Sequence, residues 1–266
     1  MKAVFFDADG TIADIKKGVP DNTRKAIRDL MANGHLAFLC TGRSWSFVPE
    51  EIRSIGFTGI VAGAGTYLSY GGKVLHDKEL DCELAWTAAC ILRKYGLIPV
   101  MEGTNYMYFD EDEYTDEVDW FCSLTKKILG ERYRSITGYE HSMHINKISA
   151  KVMPGSDPEK ALEELAPYLE PIRHDSGMGS KTIELLPLGY SKASGIAMMC
   201  EELSVPMEDT VCFGDSNNDL SMFRTAALKI AMGNSSERIL KLADYVTVNW
   251  DDDGIGKALR KFGLIR

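Results

Sequence analysis

Two carboxylates stand two residues apart where an apolar run ends. Ala3, Val4, Phe5 and Phe6 lead into Asp7, Ala8, Asp9, Gly10 and Thr11. While a chain stays extended, side chains at i and i+2 point the same way. Two such acids repel, so they ask for a shared proton or a cation. Magnesium takes one or two carboxylates, several waters and a phosphate oxygen. An acidic boundary between strand and turn, where Asp and Gly are common, has the same composition. A second acidic pair closes the run Thr210–Phe213, which leads into Gly214, Asp215, Ser216, Asn217, Asn218 and Asp219. Helix capping accounts for part of that cluster. Four polar residues in a row before Leu220 exceed what a cap needs.

Two further segments fit the same chemistry. Thr41, Gly42 and Arg43 follow the apolar run Leu36–Cys40. A hydroxyl, a flexible backbone and a helix start make a phosphate cradle, though Thr-Gly also ends strands as an ordinary turn. Lys192 opens a helical pattern. A lysine there is ordinarily a solvated charge.

The elements that must position these residues alternate. Apolar runs at 3–6, 36–40 and 59–63 predict strands, and a helix is predicted over about 21–32, closed by Asn33 and Gly34. A short helix is predicted over 46–54, and a hairpin around Gly71-Gly72. A helix over about 191–204 and strands at 210–214, 228–232 and 245–249 return to that pattern. Near-continuous apolar strands between helices predict an α/β fold with a parallel sheet covered on both faces. The middle differs. Helical stripes run through Ala88–Tyr95 and Val118–Ile128, with a hairpin around Glu102–Asn105 and strands at 146–153 and 181–186. Asp157 and Pro158 cap a helix carrying Leu162, Leu165 and Leu169. The expected organisation is a core of residues 1–82 and 187–266 with an α+β domain of residues 83–186 inserted.

The order acid, hydroxyl, lysine, acid resembles the haloacid dehalogenase (HAD) superfamily. Its motifs read Asp-x-Asp-Gly-Thr, a Ser or Thr at a strand end, a Lys, and Gly-Asp-x-x-x-Asp. Asp7–Ile12, Thr41–Arg43, Ser191-Lys192 and Gly214–Asp219 match them. The insertion between the second and third motifs is similar to the Cof-type subgroup (subclass IIB) of sugar-phosphate phosphatases. The resemblance implies a doubly wound Rossmann-like core with an inserted α+β cap. It implies a phosphatase that takes phosphate from small metabolites through an aspartyl-phosphate. Asp7 is then the nucleophile, Asp9 the acid and base, and Lys192 a catalytic cation. Thr41, Gly42, Arg43, Lys192 and Asn218 would bind phosphate or substrate. Mg²⁺ would be held at Asp7, Asp9, Asp215 and Asp219, with Asp219 steadying Lys192 or a metal-bound water. Cof-type members often carry Asn-Gly-Ala after the third core strand; here the segment is Ala62-Gly63-Ala64-Gly65-Thr66. On the cap, Tyr106, His144, Lys147 and Glu184 are candidates for substrate selection, although aromatics and histidines at such spacings more often pack or lie on the surface.

The net charge of −9 and the lack of a basic stripe argue against nucleic acid. No run of 18 apolar residues predicts a membrane span. The six cysteines form neither a close-spaced metal knuckle nor a redox pair. These features fit a cytoplasmic protein, monomeric or a small homo-oligomer, with a small phosphorylated partner. Gly177–Thr182 lacks the Gly-Lys of a P-loop, Gly63-x-Gly65 completes no dinucleotide fingerprint, and His141 and His144 lack further zinc ligands. Trp250–Asp253 reads as a solvated turn. A phosphomutase sharing the aspartyl-phosphate step and a non-catalytic metabolite sensor remain alternatives.

Overall fold

The computed structural model describes residues 1–14, 17–110, 125–174 and 182–266. It divides into two compact units. The first comprises Met1–Gly42, Val48–His76 and Ser191–Arg266; the second comprises Arg43–Phe47 and Asp77–Tyr190. The expected helix over Val118–Ile128 lies mostly outside the described residues, as does the glycine-rich loop from Gly177.

The first unit is built on strands β1 (Ala3–Phe6), β2 (Leu36–Cys40), β3 (Gly59–Ala62), β4 (Tyr67–Tyr70) and β5 (Lys73–Asp77). Later in the chain come β12 (Thr210–Gly214), β13 (Leu228–Ala231) and β14 (Tyr245–Val246). The sheet order is β14-β13-β12-β1-β2-β3-β4-β5. The strands from β14 to β3 run parallel, and β4 runs antiparallel to β3. β1 and β12 are buried along their whole length, as continuous apolar runs require when helices cover both faces. Alternation sorts the side chains. Ala3, Phe5, Phe38, Cys40, Val61 and Cys212 share one buried cluster with Ile196, Met199 and Phe223. Within it Phe5 stacks on Phe38 at 4.7 Å. Val4 and Phe6 point the other way. Helix α1 (Asp21–Ala32) packs on β2 and on the terminal helix, Gly254–Lys261.

The second unit carries a six-stranded sheet. Its strands are β6 (Leu97–Glu102), β7 (Met107–Phe109), β8 (Tyr133–Ser135), β9 (Lys147–Val152), β10 (Leu169–His174) and β11 (Thr182–Pro187). Their order is β10-β11-β9-β6-β7-β8. All neighbours are antiparallel except β7 and β8. Helices Cys82–Lys94 and Pro158–Leu165 cover one face, burying Ala85, Ala88, Leu92, Leu162 and Leu165 against Met101, Ile148 and Leu185. Asp157 caps the second of these through the Lys160 amide, with Pro158 in its first turn.

Three local expectations need correction. Leu169 starts strand β10 instead of extending the helix, which ends at Leu165. The stretch expected as one helix over 46–54 is a 3₁₀ turn, Trp45–Phe47, and a short helix, Glu50–Arg53. Pro49 separates them with extended backbone, as its fixed φ and missing N–H favour. The last strand stops at Val246. Among the described residues no helix is long and apolar enough to cross a membrane.

Candidate active site

Parallel pairing brings the carboxyl ends of β1, β2, β12 and β13 to one edge, where ligands of open α/β sheets bind. Asp7 follows β1 and keeps its backbone in the ladder, its amide donating to Phe213 O at 3.0 Å. The chain then turns sharply. The amides of Ile12 and Ala13 donate to Ala8 O, and Gly10 adopts φ +78°. A Cβ on Gly10 would lie 2.5 Å from Asp215 Oδ2. Only glycine both accepts that φ and lets the two loops touch.

Three carboxylates converge here. Oxygens of Asp7, Asp215 and Asp219 lie within 4.8 Å of one another. Lys192 bridges two of them, with Nζ 2.5 Å from Asp7 Oδ1 and 2.6 Å from Asp219 Oδ1. The other Asp219 oxygen accepts from the amides of Asp215 (2.9 Å) and Ser216 (3.1 Å). Thr11 Oγ1 donates to Asp215 Oδ1 at 3.2 Å. Asp7 Oδ2 is buried and, among the described residues, has no hydrogen-bond partner.

The lysine is brought in by close backbone packing. Ser191 caps helix Lys192–Glu202 in a capping box with Ser194. The turn Gly63–Gly65 after β3 lies against that start, so a Cβ on Gly65 would fall 2.3 Å from Ser191 O. Ala64 takes φ 54° in the same turn, and its amide donates to Thr41 O. A cation in a first helical turn opposes the macrodipole. Lys192 therefore owes its place to the two carboxylates. Burial alone would depress its pKa, but Asp219 and Asp7 hold it well above the ordinary value.

The carboxylate pKa values also rise, which for an acid favours the neutral form. Burial, then the charge of Asp219, pushes Asp7 up from 3.8 to about 7 against the opposing pull of Lys192. Burial, then Asp7 and Asp219, pushes Asp215 from 3.8 to about 8. Between about pH 4 and pH 8 the folded protein thus holds protons that the unfolded chain releases. Its metal-free stability falls as pH rises through that window. A divalent cation held by these acids would bind their deprotonated forms and offset the loss. Thermal melts should show Tm in EDTA dropping from pH 5 to pH 8, and Mg²⁺ raising Tm more at pH 8 than at pH 5. A Mg²⁺ increment independent of pH would remove these acids as its cause.

The remaining expected residues are spread more widely. Thr41 is buried at the end of β2, its amide donating to Val61 O at 2.9 Å, and Gly42 is buried beside it. Asp9 is exposed, yet its charge reaches Asp7 and adds to the upward push there. Asn218 Oδ1 accepts from Ser216 Oγ at 2.7 Å. Arg43 falls in the second unit, with its guanidinium 4.9 Å from the Phe47 ring centroid. Of the candidates in that unit, buried Lys147 meets Glu184 at 2.9 Å and Glu102 at 3.6 Å. Tyr106 and His144 line a cavity of about 380 Å³ with Tyr108, Tyr139 and Arg134. Cys40, Cys200 and Cys212 are buried, and burial pushes the Cys40 thiol to about 12, an inert state.

Asn234, after β13, was not among the expected residues. It donates to Gly10 O at 2.9 Å and approaches Asp215 Oδ2 at 3.5 Å. Its signal was a polar residue just past another parallel strand, indistinguishable from a turn asparagine.

Residues 4–259 match the family model described as haloacid dehalogenase-like hydrolase. A Bacillus subtilis protein named 5-amino-6-(5-phospho-D-ribitylamino)uracil phosphatase YcsE is 27% identical, over 99% of this chain and 96% of its own. The crystal structure of a hypothetical protein from Geobacillus kaustophilus HTA426 superposes with TM-score 0.84 at 30% identity, covering 99% of both chains. The HAD subclass IIB sugar phosphatase BT4131 superposes with TM-score 0.79 at 25% identity over the whole of both chains. With the acidic edge, the bridging lysine and these full-length matches together, this chain belongs to the haloacid dehalogenase-like hydrolases and is a phosphatase of that family.

Proposed function

We propose that this protein hydrolyses phosphate monoesters of small polyhydroxylated metabolites, with Mg²⁺ as cofactor and Asp7 as covalent nucleophile. The observation that carries this reading is the charge balance of the buried site. Asp7, Asp215 and Asp219 gather around the ammonium of Lys192, and among the described residues Asp7 Oδ2 has no hydrogen-bond partner. A cation of the magnesium kind, which prefers carboxylate oxygens, fits that donor set. Asp7 and Asp215 would hold it, with the Asp9 carbonyl implied by the family resemblance. When bound, it supplies positive charge between an anionic nucleophile and an anionic ester. Asp219 is a poorer ligand, because Lys192 and two amides already occupy its oxygens.

The chain's own groups then divide the work. An Asp7 oxygen attacks phosphorus while the bond to the ester oxygen breaks, and Asp9 gives that oxygen its proton. Water next attacks phosphorus, Asp9 takes its proton, and the bond to Asp7 breaks to release phosphate. Lys192 stays charged throughout, fixed by Asp219, and offsets charge on the transferring group. Thr41, the Gly42 amide and Asn218 orient phosphate oxygens. The first unit is the catalytic core and the second the substrate-selecting cap. Arg43, Tyr106, His144, Lys147 and Glu184, all in that unit, are its candidates for substrate contact. Relatives named for a ribitylamino-uracil phosphate and for phosphoglycolate, and a sugar phosphatase of similar fold, support a small hydroxylated leaving group.

Phosphate release should be measured over sugar phosphates, ribitylated and glycolate phosphates and a chromogenic ester, each with Mg²⁺ and with EDTA. Release from at least one with Mg²⁺, lost in EDTA, is expected. Silence across the panel, or release indifferent to EDTA, would overturn the reading.

A further inference from the structure

The segment after β13 grips both acidic loops. Met232 N donates to Gly214 O at 3.1 Å, and Ser236 N donates to Asp215 O at 2.8 Å. Ser235 Oγ reaches Gly214 O at 3.3 Å. The backbone on either side of Asp215 is thereby tied to residues 232–236. Asn234 stands at the middle of this segment and turns its amide to the β1 loop, donating to Gly10 O at 2.9 Å. The same Nδ2 lies 3.5 Å from Asp215 Oδ2. Its Oδ1 accepts from Trp250 N at 3.4 Å, and Gly233 N donates to Val248 O at 3.0 Å. One side chain thus joins three loops at the carboxyl edge of the sheet.

The Asp215 carboxylate is held from two sides. Thr11 Oγ1 donates to Oδ1 at 3.2 Å, and Asn234 Nδ2 faces Oδ2. Gly10, whose carbonyl Asn234 binds, is the residue whose bare Cα lets Asp215 approach. Asn234 itself is exposed. A hydrogen bond made by an exposed side chain contributes little net to folding. Its consequence falls on the separation of the Gly10 and Asp215 loops, where sub-ångström placement decides whether ligand oxygens converge.

We propose that Asn234 is a positioning residue for the divalent cation. It orients the Asp215 carboxylate and clamps the Asp9-Gly10 turn against it, without itself touching the metal. The proposal rests on the metal-dependent reading above, and the test separates the two. Magnesium binding to the full-length protein is titrated calorimetrically without substrate, for wild type, Asn234→Ala, Thr11→Val and the double variant. Melts in EDTA accompany each titration. Asn234→Ala should weaken Mg²⁺ binding about tenfold, the scale found when an outer partner of a metal ligand is removed. Its Tm in EDTA should stay within about 3 °C of wild type, as expected for an exposed hydrogen bond. Phosphatase activity lost at low Mg²⁺ should return as Mg²⁺ is raised. The double variant should lose more affinity than the product of the single losses, because both residues act on one carboxylate. Unchanged Mg²⁺ affinity in Asn234→Ala, strict additivity with Thr11→Val, or a fall in EDTA stability large enough to account for the loss would each overturn the positioning role alone. A wild-type protein that binds no Mg²⁺ would overturn this proposal and the metal-dependent reading together.

Discussion

Asp7→Asn should leave a folded protein with no measurable turnover. The loss expected is about 10⁴-fold or more in kcat, the scale of removing a covalent nucleophile. The substitution keeps the shape of the side chain and removes a charge from a crowded acidic site. In the metal-free protein it should not destabilise. Asp7 carries a pKa raised from 3.8 to about 7, so above that pH its ionised form works against folding. Lys192 keeps its contact with Asp219 in the variant. The Tm in EDTA at pH 8 should therefore equal or exceed that of wild type, while at pH 5 the two should converge. Incubation with a radiolabelled ester followed by an acid quench should label wild type and leave Asp7→Asn unlabelled. Label retained by the variant, or kcat within about tenfold of wild type, would assign the nucleophile elsewhere.

Lys192→Met should cost both activity and stability. Lys192 is 1% exposed and is shared by two carboxylates. Taking one partner from a buried ion cluster typically costs about 3–5 kcal/mol. For a chain of this size that lowers Tm by on the order of 10 °C. The deficit should depend on pH with a definite sign. Asp7 and Asp215 bind protons more tightly in the folded state, and losing the lysine strengthens that preference. Acid neutralises them, so the deficit should be large at pH 8 in EDTA and smaller at pH 5. Mg²⁺ should restore part of the Tm at pH 8 but no activity, because the transferring phosphoryl group still lacks the ammonium. A deficit equal at both pH values would mean that lost packing, not unbalanced charge, sets the cost.

The chemistry-bearing edge was legible because continuous apolar strands announce both their burial and their ends. Phe6-Asp7, Cys40-Thr41 and Gly214-Asp215 each mark such a strand end in the sequence, and the strands preceding them pair in parallel. Caps were legible for the same local reason, as Asp157 and Pro158 illustrate. What escaped was set by partners distant in sequence. β8 is three half-buried residues, Tyr133–Ser135, and shows no alternation strong enough to separate it from a loop. β10 contains Pro171 and has Leu169 in helical register with Leu165. It is a strand because β11 offers it an edge, where a proline is tolerated. The grouping of Lys147 with Glu102 and Glu184 joins three strands far apart in the chain. Asn234 likewise acts on Gly10 across 224 residues, a distance no local pattern encodes.

The strand order has a consequence for how this chain is made. β1 leaves the ribosome before the other strands of its sheet, yet one of its two neighbours, β12, begins only at Thr210. Until then the β1–β2 pair presents an open backbone edge flanked by Phe5, Phe6 and Phe38, a template for unwanted pairing between nascent chains. The intervening Asp77–Tyr190 stretch carries its own six-stranded sheet and apolar cluster, which can form while the first sheet waits. Synthesis thus imposes an order on assembly: the acidic edge can close only after Thr210 is made, when β12 pairs with β1 and brings Asp215 to Asp7.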